Sequence, residues 1–139
     1  MGLQEGEFDK STSDPQVEIW VTQMGSWDNM NTAFIDRENQ VVAIVDPFDG
    51  EAWIAALKHE NLTPSHILLT HTHRDHTMGV KAIRKAYPEV EVWGHEESVS
   101  PSLFGRIIFR RTDFTHVWNH APNQIETWKC GSIELSVIH

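Results

Sequence analysis

Three histidines and one aspartate fall within six consecutive residues, in the segment 71–76 (HTHRDH). Imidazole nitrogens are the commonest metal ligands in proteins, and mixed histidine and aspartate sets suit zinc or iron. His71 and His73 are two residues apart, so in an extended turn they can reach one ion, while Asp75 and His76 can serve a second. A histidine-rich surface turn is the alternative, but this ordered spacing between a strand and a helix favours a metal site.

The segments on both sides of this histidine loop have the patterns of regular structure. Residues 67–70 (ILLT) are short and apolar, which predicts a strand that is buried on both faces. Residues 77–87 predict a helix that Pro88 ends, and residues 90–93 predict another short strand. The loop is therefore expected to lie between a buried strand and a helix, which can hold its side chains in fixed positions.

The remaining patterns predict one α/β domain with a mixed sheet and flanking helices. Asp49 or Gly50 is expected to begin a helix that runs to about residue 60, and 98–123 is expected to be an irregular excursion. The polar segment 1–15 is expected to be a mobile tail, which leaves 16–139 as the domain. The other predicted strands are 17–22, 32–36 and 41–46, which form an antiparallel meander with a turn at 37–40, and 124–129 and 133–138 around a Cys130-Gly131 turn.

The composition excludes several classes of protein. The formal net charge is -9, from 20 acidic and 11 basic residues, which argues against a nucleic-acid backbone as the partner. No apolar run approaches the roughly 20 residues that span a bilayer, so no membrane association is expected. The single cysteine, Cys130, excludes an intramolecular disulfide, and its position in a turn disfavours a nucleophile. The composition therefore favours a cytoplasmic protein whose partner is neither a nucleic acid nor a membrane.

Three motifs resemble those of the metallo-β-lactamase superfamily. The segment 70–79 (THTHRDHTMG) resembles the signature loop of that family, and 45–47 (VDP) resembles its earlier motif, an aspartate at the end of a strand beside the site. The segment 132–139 (SIELSVIH) resembles the strand that leads to the third motif, whose histidine completes the first metal site. The resemblance covers about 17–139, and 46–79 is similar in style to the glyoxalase II (hydroxyacylglutathione hydrolase) branch.

The resemblance implies a fold and a set of ligands. The fold would be an αββα sandwich, of which this chain covers roughly the N-terminal half. Two zinc ions would occupy the intact site, with iron or manganese as alternatives. His71, His73 and His139 would bind the first metal, and Asp75 and His76 would bind the second.

The resemblance also implies a reaction. Metal coordination lowers the pKa of a bound water towards about 7, so a metal-bound hydroxide would attack a small ester or thioester. Asp75 would act at the metals, and Asp46 would orient the ligand loop from behind it. The alternatives are a phosphodiesterase or RNase Z-like nuclease, which the acidic charge disfavours, an iron persulfide dioxygenase with a single metal, and a non-catalytic half that works only in an assembly.

The family pattern continues beyond the third motif with a further aspartate and histidine, which would fall after residue 139. One half alone would leave the inner face of its sheet wet, at a cost of roughly 25 cal/mol per Å² of apolar surface. We therefore expect the chain to be incomplete by itself, either as a fragment of a longer protein or as a half that needs a complementing chain or a homo-oligomer.

Other residues have weaker indications. The first loop overhangs the metals in the resembling family, so Trp27 and Asn31 are candidate substrate contacts. The alternative for Trp27 is a tryptophan that covers the sheet edge. His95 is expected at a helix N-terminus on the surface, and His116 and His120 are candidates for the lining of a substrate cleft.

Overall fold

The computed structural model describes residues 8–14, 16–24, 29–70, 77–95 and 114–138. Within these ranges no helix has the length and apolar character needed to cross a bilayer. The elements, in chain order, are β1 (Asp9–Asp14), β2 (Val17–Met24), β3 (Asn29–Asp36), β4 (Val41–Val45), α1 (Gly50–His59), β5 (His66–Leu68), α2 (Val80–Ala86), β6 (Glu91–His95), β7 (His116–Trp118), β8 (Ile125–Cys130) and β9 (Ile133–Ile138).

Strands β1 to β7 form one mixed sheet in sequence order. Neighbouring strands from β1 to β4 pair antiparallel, and those from β4 to β7 pair parallel. Helices α1 and α2 supply the connections on either side of β5, as parallel pairing requires. Strands β8 and β9 form a separate antiparallel hairpin. The predicted α/β class, the mixed sheet and the antiparallel meander are confirmed.

The expected mobile tail is wrong for residues 9–14, which form β1 and pair with β2. Phe8, directly before β1, packs edge-to-face on Trp20 and Trp53, with ring centroids 6.1 and 5.0 Å apart. Lys10 places its ammonium 4.3 Å from the centre of the Trp20 ring. A polar composition does not reveal these contacts, because β2 offers an unpaired edge to any extended segment that can reach it.

The strand that precedes the histidine loop is shorter than predicted. It ends at Leu68, although residues up to Thr70 were expected to continue it. The amide of Leu69 still bonds the carbonyl of Trp93, at 2.9 Å. The amide of Thr70, however, donates to the side chain of Asp46 and not to a neighbouring strand. The change of partner ends the strand where the site begins.

The sheet is buried on both faces by two apolar clusters. On one face, α1 and α2 pack against β2 to β6, around the fully buried Trp20, Ile44, Trp53 and Ile83. On the other face, the β8–β9 hairpin covers β4 to β7 through Trp128 and Ile133. The continuous apolar run of β4 is buried along almost its whole length because it lies between both layers.

Candidate metal centre

Asp46 fixes the start of the histidine loop. It follows β4 directly, is 8% exposed and has a positive φ of 48°. One carboxylate oxygen accepts the amide of Thr70 at 2.8 Å, and the other accepts the hydroxyl of Thr70 at 2.5 Å. The amide of Asp46 donates to the carbonyl of Leu68 at 3.0 Å. Because Thr70 immediately precedes His71, the carboxylate determines the position at which the loop leaves the sheet.

A close backbone crossing fixes the end of the same loop. The amide of Gly79 donates to the carbonyl of Pro47 at 2.9 Å. A Cβ on Gly79 would lie 2.8 Å from that carbonyl oxygen, and a Cβ on Gly50 would lie 2.6 Å from the carbonyl oxygen of Gly79. These positions admit only glycine without a backbone shift. Both ends of the loop are therefore tied to the same turn, residues 46–50.

The predicted metal ligands lie outside the described residues. This applies to His71, His73, Asp75, His76 and His139, whose assignments remain predictions. Trp27, the predicted substrate contact, also lies outside them. In the described ranges, no group of three or more histidine, cysteine, aspartate or glutamate side chains is arranged to hold a metal ion. The described structure therefore shows the segments that come directly before and after the loop.

Asn31 does not fit its predicted contact with substrate. Its side chain is fully buried. Its Oδ1 accepts the amide of Phe48 at 2.9 Å and the indole N–H of Trp53 at 3.0 Å. Its Nδ2 donates to the carbonyl of Asn29 at 3.4 Å. The side-chain amide of Asn31 therefore forms its hydrogen bonds inside the protein, one of them to the turn that follows Asp46.

Two of the three outlying histidines, His95 and His116, are at positions that differ from expectation, and the ring of His120 packs edge-to-face on His95, with ring centroids 4.9 Å apart. His95 ends β6, is 6% exposed, and places its Nε2 2.8 Å from the carbonyl oxygen of His120, so the expected surface helix N-terminus is wrong. Because β4, β5 and β6 are parallel, His95 shares a sheet edge with Asp46 and Thr70. His116, in contrast, begins β7 and lies at the opposite edge of the sheet from Asp46 and Thr70.

That opposite edge holds a polar network that the sequence did not reveal. Glu91 accepts the indole N–H of Trp93 at 3.1 Å, and its carboxylate oxygens lie 3.3 Å from Nε2 of His66 and 3.2 Å from Nδ1 of His116. The hydroxyl of Ser65 lies 2.7 Å from the other ring nitrogen of His66. The members come from the start of three parallel strands, which periodicity within one strand does not relate.

The half-buried Cys130 lies beside this network and is not arranged as a nucleophile. Its Sγ lies 3.9 Å from Nε2 of His66. Burial raises the pKa of the Cys130 thiol, and the carboxylates of Glu91 and Asp36 raise it further. The thiol form is therefore favoured, which agrees with the structural position expected for this residue.

We predict that acid destabilises the protein through His66. Burial under Trp128 lowers the pKa of His66, and the carboxylate of Glu91 only partly offsets this. A lowered folded pKa means that the unfolded chain binds the proton more readily. The resulting stability is present above about pH 6.5 and is lost as the pH falls through the lower folded pKa.

Urea unfolding between pH 7.5 and 5 measures this loss as the slope of the free energy of unfolding against pH. His66→Gln should make that slope smaller. His59→Gln, at an exposed position on α1, is the matched control and should keep the slope. The carboxyls of Asp36 and Glu18 also have lowered pKa values, but their contribution is lost only at more acid pH. An unchanged slope in His66→Gln would contradict the prediction.

Known proteins match most of the chain in sequence or in fold. The family model described as the metallo-beta-lactamase superfamily matches residues 25–132. A hydroxyacylglutathione hydrolase of Xanthomonas euvesicatoria pv. vesicatoria is 37% identical over 75 residues, which are 54% of this chain and 29% of that protein. The enzyme of the same name from Alkalilimnicola ehrlichii is 41% identical over 76 residues, 55% of this chain and 29% of that protein. The matched region thus spans less than a third of these relatives.

Solved structures agree with the sheet and helix arrangement. The BLEG-1 B3 metallo-β-lactamase has 28% sequence identity and a TM-score of 0.57, over 96% of this chain and 61% of that one. A metallo-β-lactamase from Staphylococcus aureus subsp. aureus COL has a TM-score of 0.63 over 88% of this chain and 34% of that one. At 18% identity the second likeness concerns the fold alone.

Proposed function

Because this chain belongs to the metallo-β-lactamase superfamily, we propose that it carries the metal-binding loop of a hydrolase that cleaves small thioesters or esters. The observation that supports the proposal best is the double anchoring of the segment 71–76. Asp46 holds Thr70 at one end of it, and Pro47 holds Gly79 at the other. A loop held at both ends by one turn can keep several imidazoles at the separations that a metal ion demands.

The donor chemistry of the loop fits zinc. Imidazole nitrogen and carboxylate oxygen are zinc ligands with bonds of about 2.0 to 2.2 Å, and the loop supplies four such side chains. His71 and His73 would hold one ion, and Asp75 and His76 a second. A bound zinc ion polarises a carbonyl and lowers the pKa of a coordinated water to about 7.

The chain's own residues would act by positioning. The carboxylate of Asp46 would keep Thr70 in place, and this would fix the backbone position from which the next residue, His71, extends its imidazole. The Gly79 amide would do the same for the far end of the loop. Neither residue would need to move during a reaction, because each is bound to a backbone group, the Thr70 amide for Asp46 and the Pro47 carbonyl for Gly79.

The relatives support a thioester as the substrate class. Those with 37–41% identity are named hydroxyacylglutathione hydrolases, a name that describes cleavage of an acyl group from a thiol. The structural neighbour with 28% identity is named a B3 metallo-β-lactamase. The chain offers no feature specific for a lactam, so we propose the thioester and include a lactam in the test.

Metal content and cleavage should be measured on the same purified chain. We expect about one equivalent of zinc or more after loading and dialysis, and cleavage of a 2-hydroxyacyl glutathione thioester where a complementing chain or a homo-oligomer completes the site. Chelation should remove both, and zinc should restore both. Absence of bound metal after loading would refute the proposal for this chain. Cleavage of the lactam without the thioester would refute the substrate class, and light scattering on the sample tests the proposed complementing chain or homo-oligomer.

A further inference from the structure

We propose that Asn31 is a positioning residue for the metal-binding loop, through the turn that holds both of its ends. The inference rests on the proposed metal site and adds a residue that lies in another strand, at the start of β3. Asn31 touches none of residues 70–79 in the hydrogen bonds described. It acts on the turn 46–50, to which Thr70 and Gly79 are bound.

The side chain of Asn31 joins three segments at a single oxygen. Its Oδ1 accepts the Phe48 amide, in the turn, and the Trp53 indole N–H, in α1. An amide oxygen has two lone pairs, so these two donors satisfy it. The residue is fully buried, and each donor would be left without its partner if the oxygen were removed. The turn would then lose its bond to β3.

The turn needs such support because its backbone is not relaxed. Asp46 has a φ of 48°, in the left-handed region, which is uncommon for residues other than glycine although aspartate and asparagine adopt it more readily than most. Phe48 is two residues further on, and its amide is bound to Asn31. Between them, Pro47 accepts from Gly79. Release of Phe48 would let the turn relax and would move the carboxylate of Asp46 and the carbonyl of Pro47 together.

This role is distinct from general packing, and Trp53→Phe separates the two. That change removes the indole donor on the α1 side and leaves the Phe48–Asn31 bond in place. Asn31→Ala removes both bonds. Asn31→Asp keeps an oxygen that can accept from both donors, and at a pH at which this buried carboxyl is protonated its hydroxyl can donate to the Asn29 carbonyl as Nδ2 does. If Asn31 positions the loop, the anchors at Thr70 and Gly79 should open more often in Asn31→Ala than in Trp53→Phe. Asn31→Asp should show the same frequency of opening as the parent.

Amide hydrogen exchange on the metal-free full chain measures this response directly. The Thr70 amide is protected by Asp46 and the Gly79 amide by Pro47, so their exchange reports opening of the two anchors. We expect about tenfold faster exchange at both amides in Asn31→Ala, relative to the β3–β4 ladder amides that report global unfolding. Trp53→Phe and Asn31→Asp should keep the parent ratio. Equal acceleration in Asn31→Ala and Trp53→Phe, or none in either, would overturn the proposal.

Zinc affinity is the second readout. In Asn31→Ala it should fall about tenfold or more, and in Trp53→Phe it should stay near the parent value. A parent chain that binds no zinc would refute the proposed function and leave the exchange experiment to decide the role of Asn31. Parent-like exchange in Asn31→Ala, with zinc bound by the parent, would refute the positioning role alone.

Discussion

Replacing Asp46 with alanine is expected to weaken zinc binding about 10- to 100-fold, whereas replacing His71 should remove one bound ion altogether. The carboxylate of Asp46 accepts both the amide and the hydroxyl of Thr70, directly before the loop. Alanine loses both acceptors. It also places a residue without a hydrogen-bonding side chain at a φ of 48°, which adds about 1 to 2 kcal/mol of strain.

Asp46→Asn separates the loss of hydrogen-bond acceptors from the backbone strain. Asparagine tolerates a positive φ and can still accept the Thr70 amide, but its NH₂ group cannot accept the Thr70 hydroxyl. The zinc dissociation constants should therefore rise in the order parent, Asp46→Asn, Asp46→Ala, with His71→Ala weakest. Competition against a chelating indicator measures them, and His59→Ala on the exposed side of α1 is the matched control. Equal affinities for parent and Asp46→Ala would show that the anchor does not act on the site.

Trp53→Ala is expected to lower the free energy of unfolding by about 3 to 5 kcal/mol. The Trp53 ring is fully buried between the sheet and α1, and it packs edge-to-face on Phe8. Its indole N–H is bound to Asn31. Alanine would leave a cavity in the larger apolar cluster and would remove one hydrogen bond from a buried oxygen. Since the total free energy of unfolding of a domain is about 5 to 15 kcal/mol, this single change would remove a large share of it.

Urea unfolding at neutral pH checks the value. Lys58→Ala lies on the same helix at an exposed position and should change the free energy by less than about 0.5 kcal/mol. A loss below about 1 kcal/mol for Trp53→Ala would mean that α1 does not close this side of the sheet. Comparison of Trp53→Ala with Trp53→Phe separates the contribution of the ring volume to the free energy of unfolding from that of the indole hydrogen bond.

Local patterns were enough to predict most of the elements. The apolar run of β4, the alternation in β2 and the Asp49 cap of α1 each depend on neighbours within a few residues, and all three occur. The Asp49 side chain accepts the Ala52 amide at 3.0 Å, as a helix N-cap should. The motif at 70–79, with the aspartate that directly follows β4, was likewise sufficient to predict the family.

Contacts between distant segments were not predictable in the same way. Asn31 looked like a loop residue open to substrate, and only the return of β4 and α1 beside β3 buries it. The Glu91 network joins side chains from three strands, and β1 is ordered by an edge that β2 provides. In each case the deciding energy is burial or hydrogen bonding between residues far apart in sequence, which no local pattern encodes.

The sequence by itself determined the class of fold and the family, and it predicts the chemistry of the histidine loop, because these depend on residue type and short spacing. Only the tertiary structure decided what holds that loop. The turn at 46–50 binds Thr70 at one end and Gly79 at the other, and Asn31 supports the turn from β3. The physical reason is that each anchor pairs groups that lie 17 to 32 residues apart, which become neighbours only when the strands align.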